Sequence, residues 1–294
     1  MNKPENSEQL PKQYSFYRTI ARRFIRHKLA VVGLLVICIE VVLVLSLPAL
    51  LKLDPYTSAR SGFGAPPSKE HILGIDDVGR DNFSRLVFGG RTSLFVGFFS
   101  ATLSLLIGVP LGLLAGYYRG ALEASIMRAA DIFMAFPSVI LILVLVSIMG
   151  TSIVTVALVI GMLGWPTFAR QLYANVLSVR EKDYVEAAKA SGTKHIPLMI
   201  RYILPNAFAP ALVVYTFQLA NAILAEATLS FLGMGVQPPS ASWGNIIYAA
   251  QSITILSTRP WMWLPPGLCL LFTVLSINFV GDGLRDALDP KMKI

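Results

Sequence analysis

Few residues of this 294-residue chain have types and spacings that could perform catalysis. The three histidines, His27, His71 and His195, lie far apart in polar segments, so they predict neither a histidine-based triad nor a His-Glu-x-x-His zinc pair. The dipeptide Gly-Lys does not occur, which excludes the P-loop that cradles nucleotide phosphates. Cys38 and Cys269 lie in apolar stretches, where free cysteine behaves as a small hydrophobic residue. We therefore predict no catalytic residue and no cofactor bound by this chain.

A cluster of aspartates, Asp76, Asp77 and Asp81, could in principle bind a cation. A calcium loop needs oxygen ligands at alternating positions with a glycine following them, and here Val78 and Arg80 interrupt that order. The sequence favours a solvated acidic turn, and we predict no metal site.

A charged segment, residues 180–205, separates two apolar stretches. It cannot remain in hydrocarbon, because each charge at the centre of a bilayer costs roughly 2.5–3.5 kcal/mol on insertion scales. Residues 181–190 are rich in helix formers, Gly192 can adopt the left-handed conformation that ends a helix, and Pro205 marks the next segment. The sequence predicts a helix, a bend and a second helix in water, between two membrane spans.

The composition indicates an integral membrane protein, because 54% of the residues are hydrophobic and only 14% are charged, against about 25% in soluble domains. Five stretches nearly free of charge are 29–51, 92–118, 132–169, 202–234 and 261–281. About 20 residues cross the hydrocarbon, so residues 132–169 must form a hairpin, with its turn at residues 150–152. The predicted fold class is all-α, a polytopic membrane bundle of six transmembrane helices.

The distribution of basic residues predicts the orientation. With both termini in the cytoplasm, 18 of the 25 Lys and Arg residues lie on cytoplasmic segments. The net charge of +8 then reflects topology and attraction to anionic membrane lipid, and we predict no nucleic-acid partner. The predicted organisation is a cytoplasmic basic segment 1–28, a first span 29–51, an external loop 52–91, a five-helix core 92–282 that contains the charged segment, and a cytoplasmic tail 283–294.

Three glycines, Gly108, Gly112 and Gly116, recur at four-residue spacing on the second predicted span. Small residues one helical turn apart allow helices to approach closely, so we predict a helix-packing face. The alternative is that glycine is merely tolerated, since it is common in membrane helices.

A polar face on the fifth predicted span contains Tyr215, Gln218, Asn221 and Glu226, within an arc of roughly 140° at 100° per residue. Ionisable groups at this depth usually face the interior of the bundle or a water-filled path, so we predict that this face borders a translocation pathway. The alternative is that Glu226 is protonated or hydrogen-bonded inside the bundle and holds helices together. Glu40, in the first span, is expected to contact a neighbouring helix or subunit.

The charged segment resembles the cytoplasmic EAA loop of ABC importer permeases, through Glu186-Ala187-Ala188, Gly192 and Leu204-Pro205. Tyr202 departs from the isoleucine usual there. Segments 71–81, 229–239, 242–245 and 281–290 resemble the peptide and nickel importer subfamily, of the dipeptide and oligopeptide permease C type. A structural alternative for the charged segment is an amphipathic helix pair that binds no partner.

This resemblance implies a type I ABC importer permease fold in the bacterial cytoplasmic membrane. It also implies a homologous permease subunit as heterodimer partner, two ABC ATPase subunits that bind ATP and Mg, and an extracytoplasmic substrate-binding protein. The loop would then be a coupling helix: Glu186 supplies a charged contact or stabilises the helix start, Ala187 and Ala188 allow close approach to the ATPase groove, and Gly192 sets the bend.

The resemblance implies di- or oligopeptides as the solute, or a related small solute such as a nickel chelate. Two other classes remain open at this point: a secondary transporter or channel that works without an ATPase, and a membrane enzyme. The absence of an evident internal repeat counts against a carrier built from inverted halves.

Overall fold

A computed structural model describes residues 16–58 and 62–288, and within them every regular element is a helix. The first seven helices are α1 Phe16–Arg26, α2 Lys28–Leu50, α3 Asn82–Tyr118, α4 Gly120–Ala135, α5 Ser138–Met149, α6 Ile153–Leu163 and α7 Trp165–Arg180. The remaining helices are α8 Asp183–Ala190, α9 His195–Pro197, α10 Leu204–Ala207, α11 Ala209–Phe231, α12 Trp243–Ile247, α13 Ile253–Thr258 and α14 Pro260–Leu288. A π-helical turn, Leu198–Ile203, joins α9 to α10, and a 3₁₀ turn, Tyr248–Gln251, follows α12. The extended contacts are two isolated bridges, Ser58 with Arg80 and Ile75 with Asp81.

Five helical segments of the described chain are long and apolar enough to cross a membrane: α2, α3, α6 together with α7, α11 and α14. A sixth span exists if α4 and α5 are counted as one, although they meet at 89°. Pro137 explains the bend, because a proline disfavours helical geometry at the residue before it, and Phe136 is extended with ψ of 142°. The predicted hairpin turn is confirmed at Gly150, which has φ of +95° and ends α5.

The helix that contains the second predicted span begins before that span. The external loop was expected to reach residue 91, but α3 starts at Asn82, where the Asp81 side chain accepts a hydrogen bond from the Ser84 N–H at 2.7 Å. Arg91 is satisfied inside the bundle, because its Nε donates to the Val44 carbonyl at 2.5 Å. That carbonyl lacks its usual helical donor, since Pro48 has no N–H.

The last helix extends into the segment predicted as a tail, and parts of both terminal segments lie outside the described residues. The tail was predicted to start at residue 283, but α14 continues to Leu288 and packs Gly283 against Ala30. Asp286 on this last turn lies 3.6 Å from His27, the N-cap of α2. Residues 1–15 of the predicted basic segment and 289–294 of the predicted tail lie outside the described residues.

The centre of the bundle is α3, which packs on α2, α6, α7 and α11. Its three spaced glycines lie against α7: a methyl group on Gly108 would be 2.5 Å from Phe168 Cβ, and one on Gly112 would be 2.4 Å from the Ala169 carbonyl oxygen. One on Gly116 would be 2.7 Å from Val176 Cβ. Only glycine permits this separation of α3 and α7. At the periphery, α2 exposes apolar side chains along its whole length, among them Leu29, Val32, Leu35, Ile39, Val42 and Leu45.

Candidate functional site

The charged segment 180–205 folds as a helix, a bend and a second helical stretch. The bend is at Gly192, whose φ of +79° favours glycine. Its N–H donates to the Lys189 carbonyl at 3.0 Å, and the Thr193 N–H donates to the Ala188 carbonyl at 3.2 Å. This pair of bonds is the Schellman ending of a helix. A methyl group on Gly192 would meet nothing within 4 Å, so the backbone conformation alone requires glycine here.

The second helical stretch starts ten residues before the predicted point. It runs without interruption from His195 to Ala207, and Pro205 lies in the first turn of α10 within it. The π-helical turn in the middle buries Leu198, Met199 and Ile203 against α3 and α7. A wider turn of this kind is often found at functional positions in helices.

The residues of the Glu-Ala-Ala triplet face in different directions. Glu186 and Ala187 are exposed, while Ala188 is buried with Val185 in the hydrophobic cluster formed with α3 and α7. Ala188 therefore packs on the bundle itself, and its small size serves the approach of α8 to its own chain. Leu204 packs against the same cluster, and Pro205 is exposed.

Three side-chain contacts fix this segment to the bundle. Arg180 Nη1 donates to the carbonyls of Gly116 at 3.1 Å and Tyr117 at 3.0 Å, which lie at the end of α3. The Tyr117 hydroxyl lies 2.5 Å from His195 Nδ1. Asn175 Nδ2 donates to the Ala207 carbonyl at 3.1 Å. The Tyr117–His195 and Asn175–Ala207 contacts therefore join α9 and α10 to α3 and α7, and Arg180 joins the end of α7 to α3.

The outward surface of this segment combines apolar and charged side chains. Tyr184 is 40% exposed, Ile196 62% and Ile200 54%. Exposed charges lie beside them on Glu186 and Lys189. Partial desolvation raises the pKa of the Tyr184 hydroxyl above its ordinary value. Apolar side chains exposed in an aqueous segment are typical of protein-interaction sites.

A cavity of about 500 Å³ opens among α4, α5, α6, α7 and α11. Gln218, Asn221 and Thr228 supply polar groups from α11, and Phe133 and Phe136 form part of the apolar wall. Of the four residues predicted to border a pathway, the structure brings Gln218 and Asn221 to this cavity. Tyr215 bonds instead to Thr102 through the two hydroxyls at 2.9 Å, and Glu226 lies elsewhere.

Glu226 is fully buried between α3 and α11. Its carboxylate accepts hydrogen bonds from Ser93 Oγ at 3.0 Å and Ser230 Oγ at 2.6 Å. The same serines accept from the Trp243 N–H at 3.2 Å and the Val236 N–H at 3.0 Å, respectively. Glu226 thus fits the second sequence hypothesis, a carboxylate that holds the bundle together, and it fixes residues 232–247 to the helices.

Sequence reasoning missed the serine partners of Glu226. A local signal was present in Ser242 and Asn245, which form a capping box: Asn245 N–H donates to Ser242 Oγ at 3.1 Å, and Ser242 N–H donates to Asn245 Oδ1 at 3.0 Å. This pattern predicts α12, although it does not reveal the distant Ser93. Glu40 contacts a neighbouring helix as expected, since Thr273 Oγ1 on α14 donates to it at 2.8 Å.

Residues 108–294 match the family described as the binding-protein-dependent transport system inner membrane component. This chain belongs to that family. Residues 15–67 match a second family, the N-terminal transmembrane domain of oligopeptide transport permease C. The family predicted from the motifs is therefore confirmed.

Named relatives of this permease extend over nearly its whole length. A putative peptide permease protein of Brucella ovis is 42% identical over 274 residues, covering 93% of this chain and 91% of the relative. The dipeptide transport system permease protein DppC of Alkalihalophilus pseudofirmus is 40% identical over 277 residues, covering 94% and 90%.

The fold of the permease has a solved counterpart in the inward-facing MetNI methionine ABC transporter. The TM-score is 0.57 with 23% identity, and the match covers 70% of this chain and 97% of the other. The predicted permease fold of ABC importers is confirmed by this likeness.

Proposed function

We propose that this permease is the membrane subunit of an ATP-driven importer and that it carries di- or oligopeptides across the bacterial cytoplasmic membrane. The peptide assignment is supported by the relatives, which are named as peptide and dipeptide permeases. A related small solute such as a nickel chelate remains the alternative within the subfamily that the motifs resemble.

The observation that carries the proposal is the outward surface of α8–α10. It exposes Tyr184, Ile196 and Ile200 beside charged side chains, while its inner side is fixed to α3 and α7. Such a surface suits docking into the groove of a separate ABC ATPase subunit, which would hold the ATP and Mg. Closure of two ATPases around nucleotide then moves α8, and the contacts of Arg180 and Asn175 pass that movement to the spans.

The cavity lined by Gln218 and Asn221 provides this chain's share of a pathway. The cavity is partly open, and a homologous permease subunit as heterodimer partner would complete the pathway. The polar amides suit hydrogen bonding to peptide groups, and the apolar wall accommodates side chains. Alternating access consists of a change in which end of this pathway is open.

The distribution of basic residues supports an orientation in which both termini and α8–α10 lie in the cytoplasm. The opposite end of the bundle, with residues 62–81 and 232–258, then faces outward and receives the solute from a substrate-binding protein. Anionic lipid contacts the basic N-terminal segment.

The test is purification of the permease from its native membrane in mild detergent, followed by identification of bound subunits and reconstitution into vesicles. We expect two ATPase subunits and a second permease, and peptide uptake that requires both ATP and the binding protein. Uptake driven by an ion gradient with the purified chain alone would show a secondary transporter instead. Chemical turnover of a solute by the chain alone would show a membrane enzyme.

A further inference from the structure

A second cavity, of about 490 Å³, lies at the end of the bundle opposite α8. Its walls are the acidic turn 76–80, the first turn of α3, residues 238–252 and the beginning of α14. Val78, Ile246, Ile255 and Met262 make much of the lining apolar. The volume lies within the range of small-molecule sites, roughly 300–1,000 Å³.

Arg85 lines this cavity and is only 3% exposed. Its Nη1 has no hydrogen-bond partner, its Nη2 lies 3.4 Å from Asn245 Oδ1, and its Nε lies 3.6 Å from Asp76 Oδ2. A guanidinium has five donors in a planar fork, and buried polar groups are normally paired. One nitrogen of the Arg85 guanidinium, Nη1, therefore remains unpaired, and Nη2 and Nε have only long contacts.

Asp76 does not neutralise Arg85, because other groups already occupy its oxygens. Arg80 Nε donates to Asp76 Oδ2 at 2.8 Å. The N–H groups of Val78 and Arg80 donate to Asp76 Oδ1 at 2.9 and 2.8 Å. Two arginines thus share a single carboxylate, and the closer contacts belong to Arg80.

The neighbouring carboxylates are also engaged. Asp77 lies 2.5 Å from Arg259 Nη1. Asp81 caps α3 and lies 2.9 Å from His71 Nδ1. The positive charge of Arg85 is therefore incompletely compensated, and a bound anion would supply the missing negative charge.

Asn82, one turn away on α3, supplies the complementary group. It is 3% exposed, its Nδ2 donates to the Leu73 carbonyl at 3.0 Å, and its Oδ1 has no partner. The cavity thus combines an unpaired guanidinium nitrogen of Arg85 with an unpaired acceptor on Asn82 and an apolar wall. The C-terminal residue of a peptide offers a carboxylate, an adjacent N–H and a side chain, which match these three features.

We propose that this cavity binds the C-terminal residue of a short peptide, with Arg85 donating to the carboxylate and Asn82 Oδ1 accepting from the adjacent N–H. The choice of a peptide rests on the proposed function, whereas the requirement for a carboxylate rests on Arg85. The site receives solute at the end of the bundle opposite the ATPase-facing surface, before the solute enters the pathway between the helices.

The experiment is calorimetric titration of the full-length chain in lipid nanodiscs with the dipeptide Ala-Leu and with its C-terminal amide. We expect one Ala-Leu per chain and binding of the amide weaker by about ten-fold or more, because a charge-assisted bidentate pair is lost. Arg85→Gln should weaken Ala-Leu by a similar factor, and Arg85→Lys by less. Arg128→Gln is the matched control, since that side chain is 84% exposed on α4.

A second variant avoids the charged network, in case Arg85→Gln does not fold. Ala249 lines the cavity on the 3₁₀ turn, so Ala249→Leu fills it without touching Arg85. We expect loss of Ala-Leu binding with an unchanged melting temperature. Equal binding of dipeptide and amide, no binding by the folded chain, or unchanged affinity in both variants would overturn the site.

The outcomes also separate this site from the proposed function. A chain that recruits ATPase subunits but shows no carboxylate-dependent binding overturns the cavity assignment alone. A chain that binds Ala-Leu but recruits no ATPase overturns the importer assignment alone.

Discussion

The two ends of the bundle are built on different principles. At one end, α8–α10 is shaped by backbone geometry at Gly192, and its charged side chains are mostly exposed. At the other end, residues 232–247 are held by a buried network in which Glu226 binds Ser93 and Ser230. An exposed surface segment can keep a short local pattern, whereas a buried network depends on partners far apart in sequence. This difference explains why the first end was readable from the sequence and the second was not.

The largest effect is expected from Glu226→Leu, which would remove the buried hydrogen bonds of Glu226 with Ser93 and Ser230. Ser93 and Ser230 would lose their shared hydrogen-bond acceptor, and a buried donor left without a partner costs about 1–3 kcal/mol. We expect the free energy of unfolding in detergent to fall by about 3 kcal/mol or more, measured by chemical denaturation. Glu226→Gln keeps the shape and an acceptor, so its loss should be clearly smaller. Equal stability of Glu226→Leu and the natural chain would show that the network is not structural.

A somewhat smaller loss of stability is expected from Gly112→Val, which tests the packing of α3 against α7, the two helices on which α8 packs. A methyl group there would lie 2.4 Å from the Ala169 carbonyl oxygen, so α3 and α7 must separate. Overpacking of this kind costs about 1–3 kcal/mol. Gly267→Val on α14 is the control, because nothing lies within 4 Å of a methyl group at Gly267. Similar thermal unfolding of the two variants would contradict the packing role of Gly112.

Gly192→Val tests the statement that backbone geometry shapes the docking end. A left-handed conformation costs a non-glycine residue about 1–2 kcal/mol, and the surrounding space is open, so the bundle should stay folded. We expect ATP hydrolysis by the reconstituted complex to continue while peptide uptake falls. Gly192→Asn tolerates this conformation and should retain uptake. Full uptake in Gly192→Val would count against a rigid lever.

The smallest effect on stability is expected from Ile196→Ser, because Ile196 is 62% exposed. The melting temperature should hardly change, since exposed substitutions usually alter stability by less than about 0.5 kcal/mol. The recovery of ATPase subunits in affinity purification should nevertheless fall. The control is Ile253→Ser, at a position 82% exposed at the opposite end, which should leave recovery intact.

Particular residues show what the sequence could predict and why the rest escaped. Counting apolar stretches located the helices and the turn at Gly150, because both follow from local composition. The bend at Pro137 escaped, since it adds no charge to an apolar stretch. The early start of α3 was not predicted, because the count of charge-free stretches stopped at Arg91. The acceptor of Arg91, the Val44 carbonyl, is 47 residues away in sequence. The separation of Glu226 from Gln218 and Asn221 also needed the tertiary packing.

The pairing of Pro48 with Arg91 has an unusual consequence for mutation. Replacing Pro48 by leucine would restore an N–H to α2, and that N–H would compete for the Val44 carbonyl that Arg91 now binds. A change that makes α2 a more regular helix would thus leave Arg91 with the Leu45 carbonyl, to which its Nη2 donates at 2.7 Å, as its remaining acceptor on α2. The helix α2 is thus joined to α3 through a backbone carbonyl that Pro48 leaves without a helical donor.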